Sequence, residues 1–307
     1  MMKKNMDCRG LDSDCFDMIR KDEGLQALLD HIKGDHDCCL EVRCNYLSCY
    51  YRGGSMLKLE FNLCQKNLTF TFDPQYLDLK KTSKEPFAQL EAWLKIKSKD
   101  PRQWLDRLEA LKGIMDAWFE EHPKAERSVQ QKLAKSNTFS CGSCQTMDME
   151  LAIPGHRELG RMDLIAVYRK GERYIPLIVE LKHGTKAFSN KSGLQAHYNK
   201  TTKFLRGPGG EAYLVKTIRS IWDSKLRLGL IQEPVPGAGS FDEAELMFAV
   251  TGWEKGDVEK IRSKFPRQLE RNVWMVTSHD QTLYFDDDRK MLFPKTGGEE
   301  QLTGELS

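Results

Sequence analysis

The chain has 307 residues, a formal net charge of +2, 40% hydrophobic and 30% charged residues, which is the composition of a globular protein with ample length for a substantial core. No apolar run approaches the about 20 residues of a membrane span, and the start MMKKNMDCRGLDSDCF has no apolar signal-peptide core, so the expected location is the cytoplasm, with no membrane partner. Nine cysteines, an odd number, form no disulfide framework, as expected in a reducing compartment.

After a polar start, Phe16, Ile19, Leu25, Leu28, Leu29 and Ile32 recur at helical spacing and predict one amphipathic helix closed near Gly34. Residues 39–51, 56–63 and 68–72 read as a β-meander with turns at Arg52-Gly53-Gly54 and Gln65-Lys66-Asn67. Tyr50, Tyr51 and Arg52 are either a stacking platform for bases or, as we prefer, ordinary strand residues. Residues 82–97 and 101–119 have helical periodicity, the second run opening on Asp100-Pro101 and ending at His122-Pro123.

Residues 125–135 predict a further helix, on which Glu126 and Gln130 share a face. Residues 146–153 are strand-like and carry Glu150. Cys141-Gly-Ser-Cys144 has zinc-knuckle spacing but no second pair. Two apolar runs, 162–168 and 174–181, flank Arg169-Lys170-Gly171-Glu172-Arg173 and predict a β-hairpin covered on both faces. A helix over 192–205, a Gly/Pro loop at 206–210 that lacks the P-loop Gly-Lys-Ser/Thr, and a helix over 212–228 follow. Beyond a linker come a strand at 244–250, a helix at 255–269, a strand at 273–277 and a hairpin at 282–293 around Asp286-Asp287-Asp288, whose aspartates read as turn residues. The tail from Lys295 is expected to be disordered.

The hairpin carries the chemistry. Its charged exceptions are Asp163, Glu180 and Lys182, and ionised groups in a covered sheet are costly unless paired or holding a metal. A turn centred near Gly171 sets Asp163 opposite Val179 or Glu180, about 4.5–5.5 Å apart at Cβ when directly paired. Period-two alternation puts Lys182 on the face of Glu180. Two carboxylates suit Mg²⁺ or Mn²⁺. Between Leu181 and Leu230 there are ten lysines and arginines against Glu211 and Asp223, a basic segment directly behind the carboxylates that suits a phosphate backbone.

Asp163 followed across a hairpin by Glu180-Leu181-Lys182 resembles the D…(D/E)-x-K motif of the PD-(D/E)XK, or restriction-endonuclease-like, nuclease superfamily, over residues 124–253. Met162 stands where the family name has Pro. The resemblance implies that Asp163 and Glu180, with the Leu181 backbone carbonyl, hold Mg²⁺ or Mn²⁺, and that Lys182 orients the attacking water. It also implies a third acidic ligand on the opening helix, where Glu126 matches, with Glu150 as the rival. Gln195 and Tyr198 are similar to a Gln-containing helix in one branch of the superfamily, although that branch has Gln-x-x-x-Tyr. Lys186, Lys200, Lys203 and Arg206 are expected to steer phosphates.

The expected architecture is α+β: a mixed-sheet nuclease-like core with flanking helices at 123–294, preceded by an N-terminal α+β unit at 1–80 and bridging helices at 81–122, and ending in a tail at 295–307. The expected function is metal-dependent cleavage of nucleic acid, DNA ahead of RNA, in defence against foreign DNA or in repair. The alternative is a nuclease-like fold that binds nucleic acid or protein without turnover. The N-terminal unit is the expected place for a partner subunit or self-association. No G-x-S-x-G elbow or H-E-x-x-H helix supports serine or zinc hydrolysis.

Overall fold

Each of the two strand-rich regions of the sequence becomes a sheet of its own. The computed structural model describes residues 9–136, 144–188, 193–265 and 267–276. Helices α1 (Ser13–Lys21) and α2 (Glu23–Gly34) replace the single expected helix. The break is at Asp22, whose backbone is extended and whose side chain accepts the Leu25 N–H at 2.9 Å, capping α2.

Strands β1 (Cys38–Val42), β2 (Tyr46–Tyr51), β3 (Gly54–Asn62) and β4 (Asn67–Phe72) form an antiparallel meander in sequence order. The run 39–51 folds back on itself at Asn45, a left-handed residue with φ 53°, so the meander has four strands rather than three. The short helices α3 (Lys81–Lys84), α4 (Ala88–Leu94) and α5 (Pro101–Leu105) lead into α6 (Leu108–Glu121). Trp104, Leu108, Leu111, Ile114, Met115 and Phe119 bury their apolar stripe against the meander.

Helix α7 (Ala125–Ser136) opens the second half, followed by β5 (Cys144–Ala152), β6 (Arg161–Lys170) and β7 (Arg173–His183). Helices α8 (Leu194–Arg206) and α9 (Gly210–Arg227) cross over to β8 (Glu245–Thr251), and α10 (Val258–Arg262) precedes β9 (Val273–Met275). The strand order is β5-β6-β7-β8-β9; the pairs β5/β6 and β6/β7 are antiparallel, whereas β7/β8 and β8/β9 are parallel. Helix follows strand where the parallel pairs demand a crossover, as the connection length requires. The fold is therefore α+β with a mixed sheet covered on both faces. Ile165 and Ile178 face α8 and α9 with Phe204, Leu214 and Ile218. Leu164, Val179 and Leu181 face α7 through Leu133.

Cys39 and Tyr50 of the meander belong to that same α7-side core, so the two sheets share packing across α7. Buried charges tie them further. Asp148 on β5, fully inaccessible, lies 2.5 Å from Arg43 and 2.6 Å from Arg9. Arg43 also donates to Met149 O and Tyr50 Oη, both at 2.9 Å, and Lys225 of α9 pairs with Glu41 of β1 at 3.1 Å. Gly53, at φ +80°, packs so closely on α7 that a Cβ there would lie 2.2 Å from the Arg127 backbone.

The expected helix over 255–269 is only α10 flanked by 3-10 turns at Lys255–Asp257 and Arg267–Asn272. Cys141, the 282–293 hairpin with its three aspartates, and the tail lie outside the described residues. Cys144 opens β5 and is buried. Among the described residues no helix is long and apolar enough to cross a membrane.

Candidate active site

The site begins where β6 and β7 part. Their ladder ends at the pair Leu164–Val179; one step further, Asp163 and Glu180 face each other, the second of the two registers expected from the turn. Beyond this point β7 continues to His183, paired only with β8, and its β6-side edge is open. Asp163 fills the gap: its Oδ2 accepts the Leu181 N–H at 2.7 Å. Its own carbonyl accepts from Gln130 Nε2 of α7 at 2.6 Å, which fixes the height of α7 against the fork.

Glu180 and Lys182 project from the same face, as alternation requires, while Val179 and Leu181 enter the core on the other side. Lys182 Nζ lies 2.7 Å from Glu180 Oε1, and each side chain is only 12% exposed. A second group reaches the same oxygen: His197 Nδ1 of α8, at 3.4 Å. Among the described residues, Asp163 Oδ1 and Glu180 Oε2 accept no hydrogen bond. Each facing carboxylate is thus held by one oxygen and offers the other.

Burial, then the neighbouring Glu180 carboxylate, push the Asp163 carboxyl up to about 7. The Leu181 N–H and Lys182 pull in the opposite direction, and Glu126 adds to the push. Two acids sharing one cleft resist simultaneous ionisation. A cation between them removes that penalty, and hard carboxylate oxygens suit Mg²⁺ or Mn²⁺. The residues present therefore fit a divalent ion.

The two rivals for a third acidic ligand part company. Glu126 sits exposed in the first turn of α7 with no hydrogen bond or ion pair among the described residues, near enough to influence Asp163 electrostatically. Glu150 is left-handed, with φ 55°; its carboxylate accepts from Tyr50 Oη at 3.3 Å and lies 3.8 Å from Arg161. Glu150 is thus already occupied in locking β5 to the meander. Among the described residues, the acidic or histidine trio with all ligand atoms within 4.8 Å is instead His31, Asp35 and Glu109. There the Lys112 ammonium already binds Asp35 and lies 2.8 Å from Glu109, so lysine supplies the positive charge.

Of the residues expected to meet nucleic acid, Gln195 donates to Asn199 at 2.8 Å along the surface of α8, and Tyr198 packs against the core under that helix. Lys200 and Lys203 are exposed and line a cavity with His156 and Phe204. Arg206 and Tyr198 line a neighbouring open cavity of about 800 Å³ that also carries Glu211, Glu243 and Glu245. The side chain of Lys186 lies outside the described residues. Tyr50 and Tyr51 are buried, their hydroxyls engaged by Arg43 and Asp116, which leaves no stacking platform at those two rings.

Sequence reasoning missed His197, although a signal existed. Leu194, Thr201 and Phe204 are buried on α8, and position 197, three after the first and four before the second, falls on that inward stripe. Comparison with known proteins returns no matching family model, no matching curated protein and no matching solved structure.

Proposed function

We propose that this protein is a metal-dependent phosphodiester hydrolase acting on nucleic acid, DNA ahead of RNA, and that the PD-(D/E)XK resemblance describes its core. The observation that carries the reading is the pair of facing carboxylates, each with one open oxygen, beside the Lys182 ammonium at the fork of β6 and β7. The mixed sheet between α7 and the α8–α9 layer agrees with that family's expected architecture.

Asp163 Oδ1 and Glu180 Oε2 would hold Mg²⁺ or Mn²⁺. The Leu181 carbonyl supports the set, because in a strand N–H and C=O of one residue point to the same side, and its N–H points at Asp163. An ion held there would lower the pKa of a bound water and offset charge on the phosphate. Lys182 leaves Glu180 to orient the attacking water and to stabilise the equatorial oxygens. Glu126, exposed in the first turn of α7 and felt electrostatically by Asp163, would add an acidic contact to the ion or the water. Lys200, Lys203 and Arg206 on α8 attract the phosphate backbone.

Incubation of the purified protein with plasmid, linear duplex, single-stranded DNA and RNA, in Mg²⁺, Mn²⁺ or EDTA, tests the proposal. Metal-dependent cleavage lost in Asp163→Ala and Lys182→Ala is expected. Cleavage that persists in both variants refutes the assignment, and salt-sensitive binding with no cleavage replaces it with a binding module.

A further inference from the structure

We infer that His197 is a positioning residue for the metal ligand Glu180, taking over its Oε1 when Lys182 turns to the attacking water. The inference rests on the reading of Asp163 and Glu180 as ligands, and it concerns a residue that the D…(D/E)-x-K motif does not contain.

The geometry poses a problem that His197 solves. Lys182 holds Glu180 Oε1 at 2.7 Å, and the same ammonium must face the water and the phosphate during hydrolysis. A lysine that swings away leaves a largely buried carboxylate with a rotatable end and no anchor. Glutamate has three side-chain torsions, and an unrestrained one lets Oε2 wander from the ion. His197 Nδ1, at ion-pair rather than hydrogen-bond geometry 3.4 Å from that oxygen, is the one further side-chain nitrogen there among the described residues. It arrives from α8, a different element from the strand that carries Lys182, so the two donors are mechanically independent. The neutral Nδ1–H tautomer and the imidazolium both carry a proton on this nitrogen, so either form can close the contact to a hydrogen bond once Lys182 has left.

The other histidines near this end of the molecule are committed elsewhere. His183 bonds Thr251 Oγ1 at 3.0 Å and packs over Gly252, and His156 pairs with Glu158 at 3.0 Å. His197 is 41% exposed, so replacing it empties no core volume and leaves the fold intact. An ordinary exposed ion pair of this kind has almost no effect on anything; a partner that orients a metal ligand changes affinity by about 10- to 100-fold. That contrast makes the two interpretations separable.

The experiment is calorimetric titration of the full chain with MnCl₂, for wild type, His197→Ala, His197→Asn, Lys182→Ala and the Lys182→Ala/His197→Ala and Lys182→Ala/His197→Asn double variants, with Glu180→Ala as the blank. Asn is chosen because its amide nitrogen approximates the position of Nδ1. In the Lys182→Ala background, where no other side chain among the described residues holds Oε1, His197→Ala is expected to weaken Mn²⁺ binding about tenfold and Asn to restore it to within about threefold; with Lys182 in place the His197 effect is smaller. Binding unchanged by His197→Ala in both backgrounds, or Asn as weak as Ala, overturns the inference. Wild type that binds no more Mn²⁺ than Glu180→Ala overturns instead the metal site itself.

Discussion

Replacing Asp163 by Asn should stabilise the metal-free protein while abolishing its response to metal. The carboxyl sits at about 7 in the fold against 3.8 for an ordinary aspartate. In the unfolded chain it ionises near the lower value; in the native state it keeps its proton until the higher one. Between them the native state binds the extra proton, so this group favours folding fully below pH 4, and its contribution is lost as the pH rises through 7. A displacement of this size is worth about 4 kcal/mol at pH 8, a ceiling that relaxation and water in the open fork reduce to about 1–3 kcal/mol. Asn is neutral at every pH and keeps an oxygen for the Leu181 N–H, so it carries no such penalty. Urea unfolding in EDTA at pH 5, 6, 7 and 8, followed by tryptophan fluorescence, reads the effect: the two curves approach each other at pH 5 and separate in favour of Asp163→Asn at pH 8. Added Mg²⁺ should then stabilise wild type through mass action and leave the variant unmoved. A variant less stable than wild type at pH 8 in EDTA refutes the account of two carboxylates in conflict.

The same linkage governs metal binding: because the ligand set must lose the Asp163 proton, Mn²⁺ affinity should rise with pH up to about 7 and flatten above it, with close to one proton released per ion at pH 6 in calorimetry run in buffers of different ionisation enthalpy. Lys182→Ala should reduce nicking of plasmid DNA by at least about 100-fold in a protein that still folds, with a lower unfolding midpoint because the largely buried Glu180 carboxylate loses its ammonium partner. Asp148→Ala strands the Arg43 and Arg9 guanidiniums in the interior and should cost about 3–5 kcal/mol in urea unfolding. Gly53→Ala drives a Cβ into the Arg127 backbone at a left-handed position and should destabilise by more than about 1 kcal/mol, with a weaker metal response if α7 shifts and takes Gln130 from the Asp163 carbonyl.

Much of the hairpin was legible because its logic is local. The loop at Arg169–Arg173 and the period of two are enough to bring Asp163 opposite Glu180 and to place Lys182 beside it. Helix ends were less so: Asp22 breaks the first helix because its side chain satisfies the Leu25 N–H, a competition between two short-range hydrogen bonds that apolar spacing does not register. Glu150 read as a rival ligand because it is an acidic residue in the strand-like segment at 146–153 ahead of the hairpin. Its left-handed backbone and its bond to Tyr50 depend on a meander about a hundred residues earlier, which no local pattern encodes.

The sequence by itself determined the α+β class, the fork hairpin and the acidic pair with its lysine, since side-chain alternation and turn length are properties of neighbouring residues. Only the tertiary structure decided that the meander and the mixed sheet share a core through α7, that Arg43 and Arg9 bury Asp148 between them, and that α8 delivers His197 rather than Gln195 to Glu180. Those contacts join residues up to 139 positions apart, and they are chosen by how helices pack across a sheet rather than by any period within it.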